Sequence, residues 1–325
     1  MAKGDEMNNL ISRQVEDYIS YKKGLGYQIK IESQELRRFA AYTEAIEHET
    51  SLTTDIAFQW ATLNPEYSRW YMARRMETIR TFAKYICIFD PNAQMLPKGV
   101  FGKCHGRTTP YIFSKEEIAI LMKAASGLYS PDGLRSKTIP TAIGLLWSTG
   151  MRPNEVCQLM NADVDFDEGL ITIRETKFSK NRVLPLHETT VSELRAYVND
   201  RDRLRKDFSD EHFLIMTGSR KLVLPNLEYA MQVIRSELLT DTKEWNRRPP
   251  RLFDVRHSFA CRTLLSWLKD GIDVNIKILY LSTYLGHVKV ADTYWYLTGT
   301  PELMDFAASS FEEFFYGNKG TCHEE

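Results

Sequence analysis

Ser148-Thr149-Gly150-Met151-Arg152-Pro153-Asn154-Glu155-Val156 lies where one helix stops and another starts. The apolar run 143–147 predicts a buried helix that ends near Gly150, since glycine closes a helix without steric strain. Pro153 suits the first turn of the next helix, where its missing N–H is not needed. Arg152 then stands at the mouth of that helix and can point outward. Glu155, one turn on, can hold its guanidinium. Taken alone, an arginine that merely bonds a local carboxylate has the same signature.

Working outward, Ser114-Lys115-Glu116-Glu117 is a capping box, and Phe113 can staple onto Ile118. Downstream, Leu170-Ile171-Thr172-Ile173 and Arg182-Val183-Leu184-Pro185-Leu186 predict two strands joined through Phe178-Ser179-Lys180-Asn181 as a hairpin. The stretch Glu175-Thr176-Lys177 puts a lysine near the hairpin tip, where lysine commonly just keeps a turn soluble. From Tyr229 onward the pattern is helical, broken by Pro249-Pro250. In Leu252-Phe253-Asp254-Val255-Arg256-His257-Ser258-Phe259-Ala260 an arginine and a histidine interrupt an apolar helix start. A buried arginine needs a partner, either a structural carboxylate or a ligand phosphate. Last come Tyr284-Leu285-Gly286-His287 and Asp292-Thr293-Tyr294-Trp295-Tyr296-Leu297, an aromatic cluster that suits a core as well as it suits chemistry.

Residues 8–95 read as helical throughout, with Val15, Tyr18, Ile19, Leu36, Phe39 and Ala40 at helical spacing. Met72, Met76, Ile79, Ala83 and Ile86 form a further apolar stripe, with Arg74, Arg75 and Arg80 beside it. The expected organisation is a helical domain over 1–96, a Gly/Pro-punctuated linker over 97–110, a second domain over 111–316 and a loose tail over 317–325. A length of 325 residues, 43% apolar and 26% charged, fits a two-domain soluble protein. No apolar run is long enough for a membrane span, and the start lacks the core of a signal peptide. Five scattered cysteines form no C-x-x-C pair, which speaks against a disulfide framework or structural zinc and for a reducing cytoplasm. Asp163-x-Asp165-x-Asp167 imitates the start of a calcium loop, but Glu168 stands where glycine is needed and Arg174 where glutamate is needed. It reads as a solvated turn before the hairpin, and no metal is expected. The net charge of −1 leaves the partner open, because basic residues cluster locally.

Taken together, the four segments resemble the tyrosine recombinases, or phage integrases, and the resemblance covers 110–297 in motif order. Thr149-Gly150-Met151-Arg152 with Glu155 matches the family's first box. Lys177 matches its hairpin lysine. Val255-Arg256-His257 matches the end of the third box, and Leu285-Gly286-His287 the fourth. Tyr296 stands nine residues after His287, as the family's nucleophile does, whereas Tyr294 is off register at seven. The strings around Tyr284 and Tyr294 look particularly like recombinases of transposon-like elements. One position departs: the third box opens on Phe253 where the family has a histidine that helps manage the tyrosine proton. His257 is next in line for that task, but the family usually carries it as well.

The resemblance implies a mainly α fold with a small β-hairpin sheet. The N-terminal part would be a helical core-binding domain and the second domain an α+β catalytic domain. It implies attack of Tyr296 on a DNA phosphodiester, with Arg152 and Arg256 as fixed cationic forks for the phosphate. His287 would add a hydrogen bond to the same phosphate, Lys177 would protonate the leaving 5′-oxygen, and Glu155 and His257 would support. A covalent phosphotyrosine keeps the bond energy, so no cofactor is required. The partner is double-stranded DNA, clamped by both domains, with Arg74, Arg75 and Arg80 as candidate contacts. Self-association as a tetramer on paired sites is expected, with the amphipathic segment 301–315 docking on a neighbouring protomer. Two alternatives stay open: a recombinase-like binding module that cuts poorly because of Phe253, and a type IB topoisomerase.

Overall fold

In the computed structural model, residues 9–102, 110–174, 181–238 and 249–317 are described. The chain divides into two compact units, Met1–Thr108 and Thr109–Glu325.

The described part of the first unit is built from α1 (Leu10–Gly24), α2 (Lys30–Ala45), α3 (Thr54–Ala61) and α4 (Arg69–Ile86). Side-chain oxygens of Asn9, Thr53 and Ser68 cap α1, α3 and α4 by accepting from backbone N–H groups of the first turn. Ile11, Val15, Leu36, Phe39, Trp60, Ile79 and Phe82 close one core, at the spacing that places them on inward faces. Arg74, Arg75 and Arg80 of α4 part company here. Arg75 is 2% exposed, with its guanidinium 3.6 Å from the Trp60 ring centre and its Nε 3.2 Å from Glu35. Arg80 is buried and paired with Glu77. Arg74 is half-buried and leans toward Trp70. Of the three candidate contacts, Arg75 and Arg80 are interior members of their unit, because aromatic faces and carboxylates receive them there.

The second unit centres on α6 (Leu134–Thr149), which packs against α5 (Lys115–Ser126), α8 (Glu188–Leu204) and α10 (Leu252–Lys269). The capping box is present in both directions at Ser114 and Glu117, and Phe113 and Ile118 are both buried. Gly150 follows α6 at φ +62°, and α7 (Pro153–Cys157) starts directly after Arg152. β1 (Val164–Asp165), β2 (Leu170–Ile173) and β3 (Arg182–Pro185) form an antiparallel sheet in sequence order, with Ile171 opposite Leu184 and Ile173 opposite Arg182. Ile171, Ile173 and Leu184 point into the core. Asp163 is no solvated turn residue: it is 4% exposed, accepts from the Met160 N–H at 3.0 Å and pairs with Arg174. Its carboxylate closes the chain's entry into the sheet, while Asp165 takes the turn N–H groups of Asp167 and Glu168. A short ribbon of β4 (Ile215–Met216) and β5 (Arg220–Lys221) leads to α9 (Leu224–Ile234). After α10 come α11 (Val274–Leu285), α12 (Ala291–Tyr294) and α13 (Pro301–Gly317). No helix among the described residues is long and apolar enough to cross a membrane.

Gly150 combines a left-handed backbone with a close approach, since a Cβ there would meet the Phe259 ring at 2.4 Å. Gly150→Ala should lower the stability of the protein by about 1–3 kcal/mol. Gly26→Ala, at φ +82° but in open space, should cost less. Thermal unfolding of the two variants checks the order.

Candidate active site

The starts of α7 and α10, the ends of α11 and α12 and one strand build this site. Arg152 occupies the N-cap of α7 in an extended conformation, which frees its side chain from the helix. Its Nη1 donates to Glu155 Oε1 at 2.8 Å and its Nη2 to the Gly286 carbonyl at 2.8 Å. Glu155 also receives the Arg152 backbone N–H at 2.8 Å. From β3, Arg182 grips the same carboxylate with Nη1 at 3.0 Å and Nη2 at 2.7 Å, and its Nε donates to the Tyr284 carbonyl at 2.9 Å. Burial alone would raise the Glu155 carboxyl, but hydrogen bonds and charge from Arg182, then Arg152, bring it down to about 2.

Arg256, on the first turns of α10, is 1% exposed. Its Nη1 donates to the Gly150 carbonyl at 2.9 Å, its Nη2 to the Leu285 carbonyl at 2.7 Å, and Nη2 stands 3.1 Å from His287 Nε2. Burial pulls its pKa down to about 10, against the attraction of Tyr296, so the guanidinium stays charged at neutral pH. His287 follows Gly286, whose φ of +67° turns the chain sharply at the end of α11. Its Nδ1 lies 2.8 Å from Thr293 Oγ1. Burial, then Arg256 and Arg152, push the imidazole down to about 4, so the ring is neutral.

Tyr296 sits in a turn just past α12 and is 3% exposed. Burial raises its pKa, while the charge and hydrogen bond of Arg256 lower it. The His287 ring stacks along it, with centres 5.8 Å apart, and the His257 ring meets it nearly perpendicular at 5.1 Å. Below it, Cys261 Sγ donates to the Tyr296 carbonyl at 3.4 Å. A Cβ at Gly299 would lie 2.5 Å from that sulfur, so only glycine lets the chain pass. Tyr294 is 45% exposed. Phe253, 42% exposed, lies edge-on to His257 at 5.6 Å.

The structure thus brings Arg152, Glu155, Arg256, His257, His287 and Tyr296 together. Lys177 lies outside the described residues. Arg74, Arg75 and Arg80 belong to the other unit. Sequence reasoning passed over Arg182 and Thr293, although both stand inside the segments quoted above. The signal for Arg182 was its place directly before the Val-Leu-Pro strand, facing the boxed carboxylate once the hairpin pairs. Thr293 is six residues past His287, and nothing in its residue type distinguishes it from a helix-forming neighbour.

The sequence model of the phage integrase family matches residues 112–302. An integrase/recombinase-type protein of Sinorhizobium fredii, y4rB, is 36% identical over 307 residues, covering 92% of this chain and 96% of its own length. The tyrosine recombinase XerA of Thermococcus kodakarensis is 27% identical over 70% of each chain. Among solved structures, the Tn1549 transposon integrase in complex with transposon right end DNA superposes with a TM-score of 0.66 at 14% identity, covering 93% of this chain and 98% of that one. The XerH recombinase bound to its difH substrate gives 0.62 at 18%, with 93% and 85% covered.

The Glu155 geometry carries a pH signature. Its folded pKa is depressed below the reference of 4.5 to about 2. The linked stabilisation is therefore present above pH 4.5 and is lost as pH falls toward 2. It amounts to roughly 3 kcal/mol at neutral pH. The stability gap between the wild type and Glu155→Gln should shrink over that window in denaturant titrations at stepped pH. A gap that stays constant would mean the arginines hold a neutral carboxyl equally well.

Proposed function

The chain belongs to the phage integrase family, and on that premise we propose that it is a site-specific tyrosine recombinase that cuts and rejoins DNA for a mobile element. One observation carries the reading: Tyr296 lies buried against Arg256 and His287, and Arg152 is tied to the same turn through Gly286. A phenol beside fixed cations is arranged to attack a phosphodiester. The transition state spreads negative charge over the non-bridging oxygens, and Arg152 and Arg256 stabilise it there. Each fork is already held by carbonyls or by Glu155, so little reorganisation is needed when the phosphate arrives. Tyr296 forms a 3′-phosphotyrosine, Lys177 protonates the departing 5′-oxygen, and the free 5′-hydroxyl of a partner strand reverses the step. No cofactor takes part.

In this reading the second unit is the catalytic domain and the first the core-binding domain. Phosphate contacts set affinity and its salt dependence. Arg74 beside Trp70 is the candidate contact from the first unit, while Arg75 and Arg80 act indirectly by fixing α4. Assembly on paired sites is assigned to α13, with one revision. Leu303 is fully buried in the core that contains Tyr296, and Phe306 packs against it. The opening turns of α13 therefore serve their own unit, and docking on a neighbouring protomer falls to the helix beyond them. On α11, Ile276, Leu279 and Tyr280 are 56–65% exposed, which supports an apolar receiving face on the catalytic domain.

Two tests follow from this. Tyr296→Phe should abolish the detergent-stable covalent adduct on nicked duplex from DNA flanking the gene, with binding intact. Tyr294→Phe should retain the adduct, and the reverse pattern would refute the register. Deletion from Ser309 onward should leave half-site binding unchanged and remove cooperative binding to a paired site in gel-shift titrations. Undiminished cooperativity would make all of α13 an internal packing element.

A further inference from the structure

The arrangement around His287 fixes which of its nitrogens carries a proton. A guanidinium has donors and no acceptor. Arg256 Nη2 stands 3.1 Å from His287 Nε2, so Nε2 must be the acceptor and bears no hydrogen. The neutral ring then carries its proton on Nδ1, which donates to Thr293 Oγ1 at 2.8 Å. Thr293 is fully buried, so it holds the ring in one orientation and one tautomer. The basic nitrogen faces the fork that also donates to the Tyr296 hydroxyl oxygen, and the two rings lie nearly parallel at 20°.

We propose that His287 accepts the phenolic proton of Tyr296 through Nε2, with Thr293 as its positioning residue, a task for which the apolar ring of Phe253 has no atom. The proposal rests on the recombinase reading above. It accounts for the absence of a proton-transferring group at Phe253 without enlisting His257, which meets the Tyr296 ring nearly at right angles.

The charges around the ring explain why the base works only on DNA. Arg256 from α10, Arg152 at the start of α7 and Arg182 from β3 disfavour a proton on His287. Asp292 from α12 favours it. Glu155, which also lies in this cluster, is occupied by the two arginines it bridges. With no anion present, burial and then the arginines outweigh Asp292 and keep the ring neutral. A phosphodiester placed on Arg152 and Arg256 brings a negative charge among them and takes the Arg256 Nη2 hydrogen. Both effects help Nε2: its lone pair is released and its positive form is compensated.

The step balances. The bond from Tyr296 Oη to phosphorus forms as the bond from phosphorus to the 5′-oxygen breaks. The phenolic proton moves to Nε2, and the 5′-oxygen takes a proton from the general acid assigned to Lys177. The resulting imidazolium can donate its new N–H to a phosphate oxygen. On resealing, it returns that proton to the departing phenolate.

The test uses the full-length chain on nicked duplex from DNA flanking the gene, reading the single-turnover rate of covalent adduct formation and, separately, binding. His287→Gln keeps an amide that can bond the phosphate but cannot take up a proton. It should slow adduct formation on the order of 10²-fold or more, with binding retained within a few-fold. Replacing Tyr296 by a ring-fluorinated tyrosine, already ionised near neutral pH, should restore most of the loss in that background. A substrate with sulfur in place of the bridging 5′-oxygen, whose leaving group needs no proton, should not. Thr293→Val should slow the step and Thr293→Ser should restore it. If the sulfur substrate rescues His287→Gln and the fluorinated tyrosine does not, His287 acts on the leaving group and the proposal is wrong. If neither rescues, His287 only binds phosphate; if His257→Gln shows the expected pattern instead, the base is His257. A wild-type chain that forms no adduct would instead overturn the recombinase reading itself, and an adduct that survives Tyr296→Phe would overturn the choice of nucleophile.

Discussion

Glu155 accepts from both arms of Arg182, from one arm of Arg152 and from the Arg152 backbone. Those bonds tie β3 to the start of α7. The remaining donors of the two arginines reach the Tyr284 and Gly286 carbonyls at the end of α11. One carboxylate thus fixes three pieces of chain distant in sequence. A buried carboxylate is expensive unless paired, and here the pairing outweighs desolvation enough to keep it ionised far below its ordinary range. Removing Arg182 would leave Arg152 to satisfy Glu155 alone and would turn its fork away from its present direction.

The cations are held mostly by neutral acceptors, which decides what the site can bind. Arg256 donates to carbonyls at the ends of α6 and α11, and Arg152 reaches Gly286 at the second of these ends. The last carbonyls of a helix have no partner within it and carry partial negative charge. Left-handed glycines at 150 and 286 turn the chain so that these carbonyls meet the guanidiniums. Arg256 meets its hydrogen-bond demand on carbonyls without a carboxylate, and Arg152 and Arg182 share the single carboxylate of Glu155, so positive charge is left over. An anion is the remaining complement. Had carboxylates filled the same places, the forks would be equally rigid and electrically spent.

Much of this site was legible because each box pairs a chemical residue with a backbone device that exposes it. Gly150 with Pro153 forces a break in the helix where Arg152 stands, and Gly286 does the same beside His287. Those are local rules and survive in any tertiary setting. The burial of Arg75 was not legible because it depends on Trp60 and Glu35, which come from other helices and could not be paired with it along the sequence. Asp163 was read as solvated for the same reason: its partner Arg174 lies across the sheet entry. Arg182 and Thr293 were passed over as functional residues because their roles consist of holding other side chains.

The enclosure of Tyr296 sets the demand that its neighbours must meet. Burial raises the phenol's pKa above an ordinary value that is already about 10. Arg256 opposes that rise, but a bound phosphodiester would draw on the same guanidinium and weaken its hold on the phenolate. Each unit of pKa above the working pH adds about 1.4 kcal/mol to the barrier for attack by a free phenolate. Ionising first and attacking afterwards is therefore the poorer route in a site this dry. Transfer of the proton as the bond to phosphorus forms avoids a buried phenolate, and that requires an uncharged acceptor at the same guanidinium. Burial of the imidazole beside Tyr296, reinforced by the surplus of arginines, supplies that condition by keeping the ring unprotonated until an anion arrives.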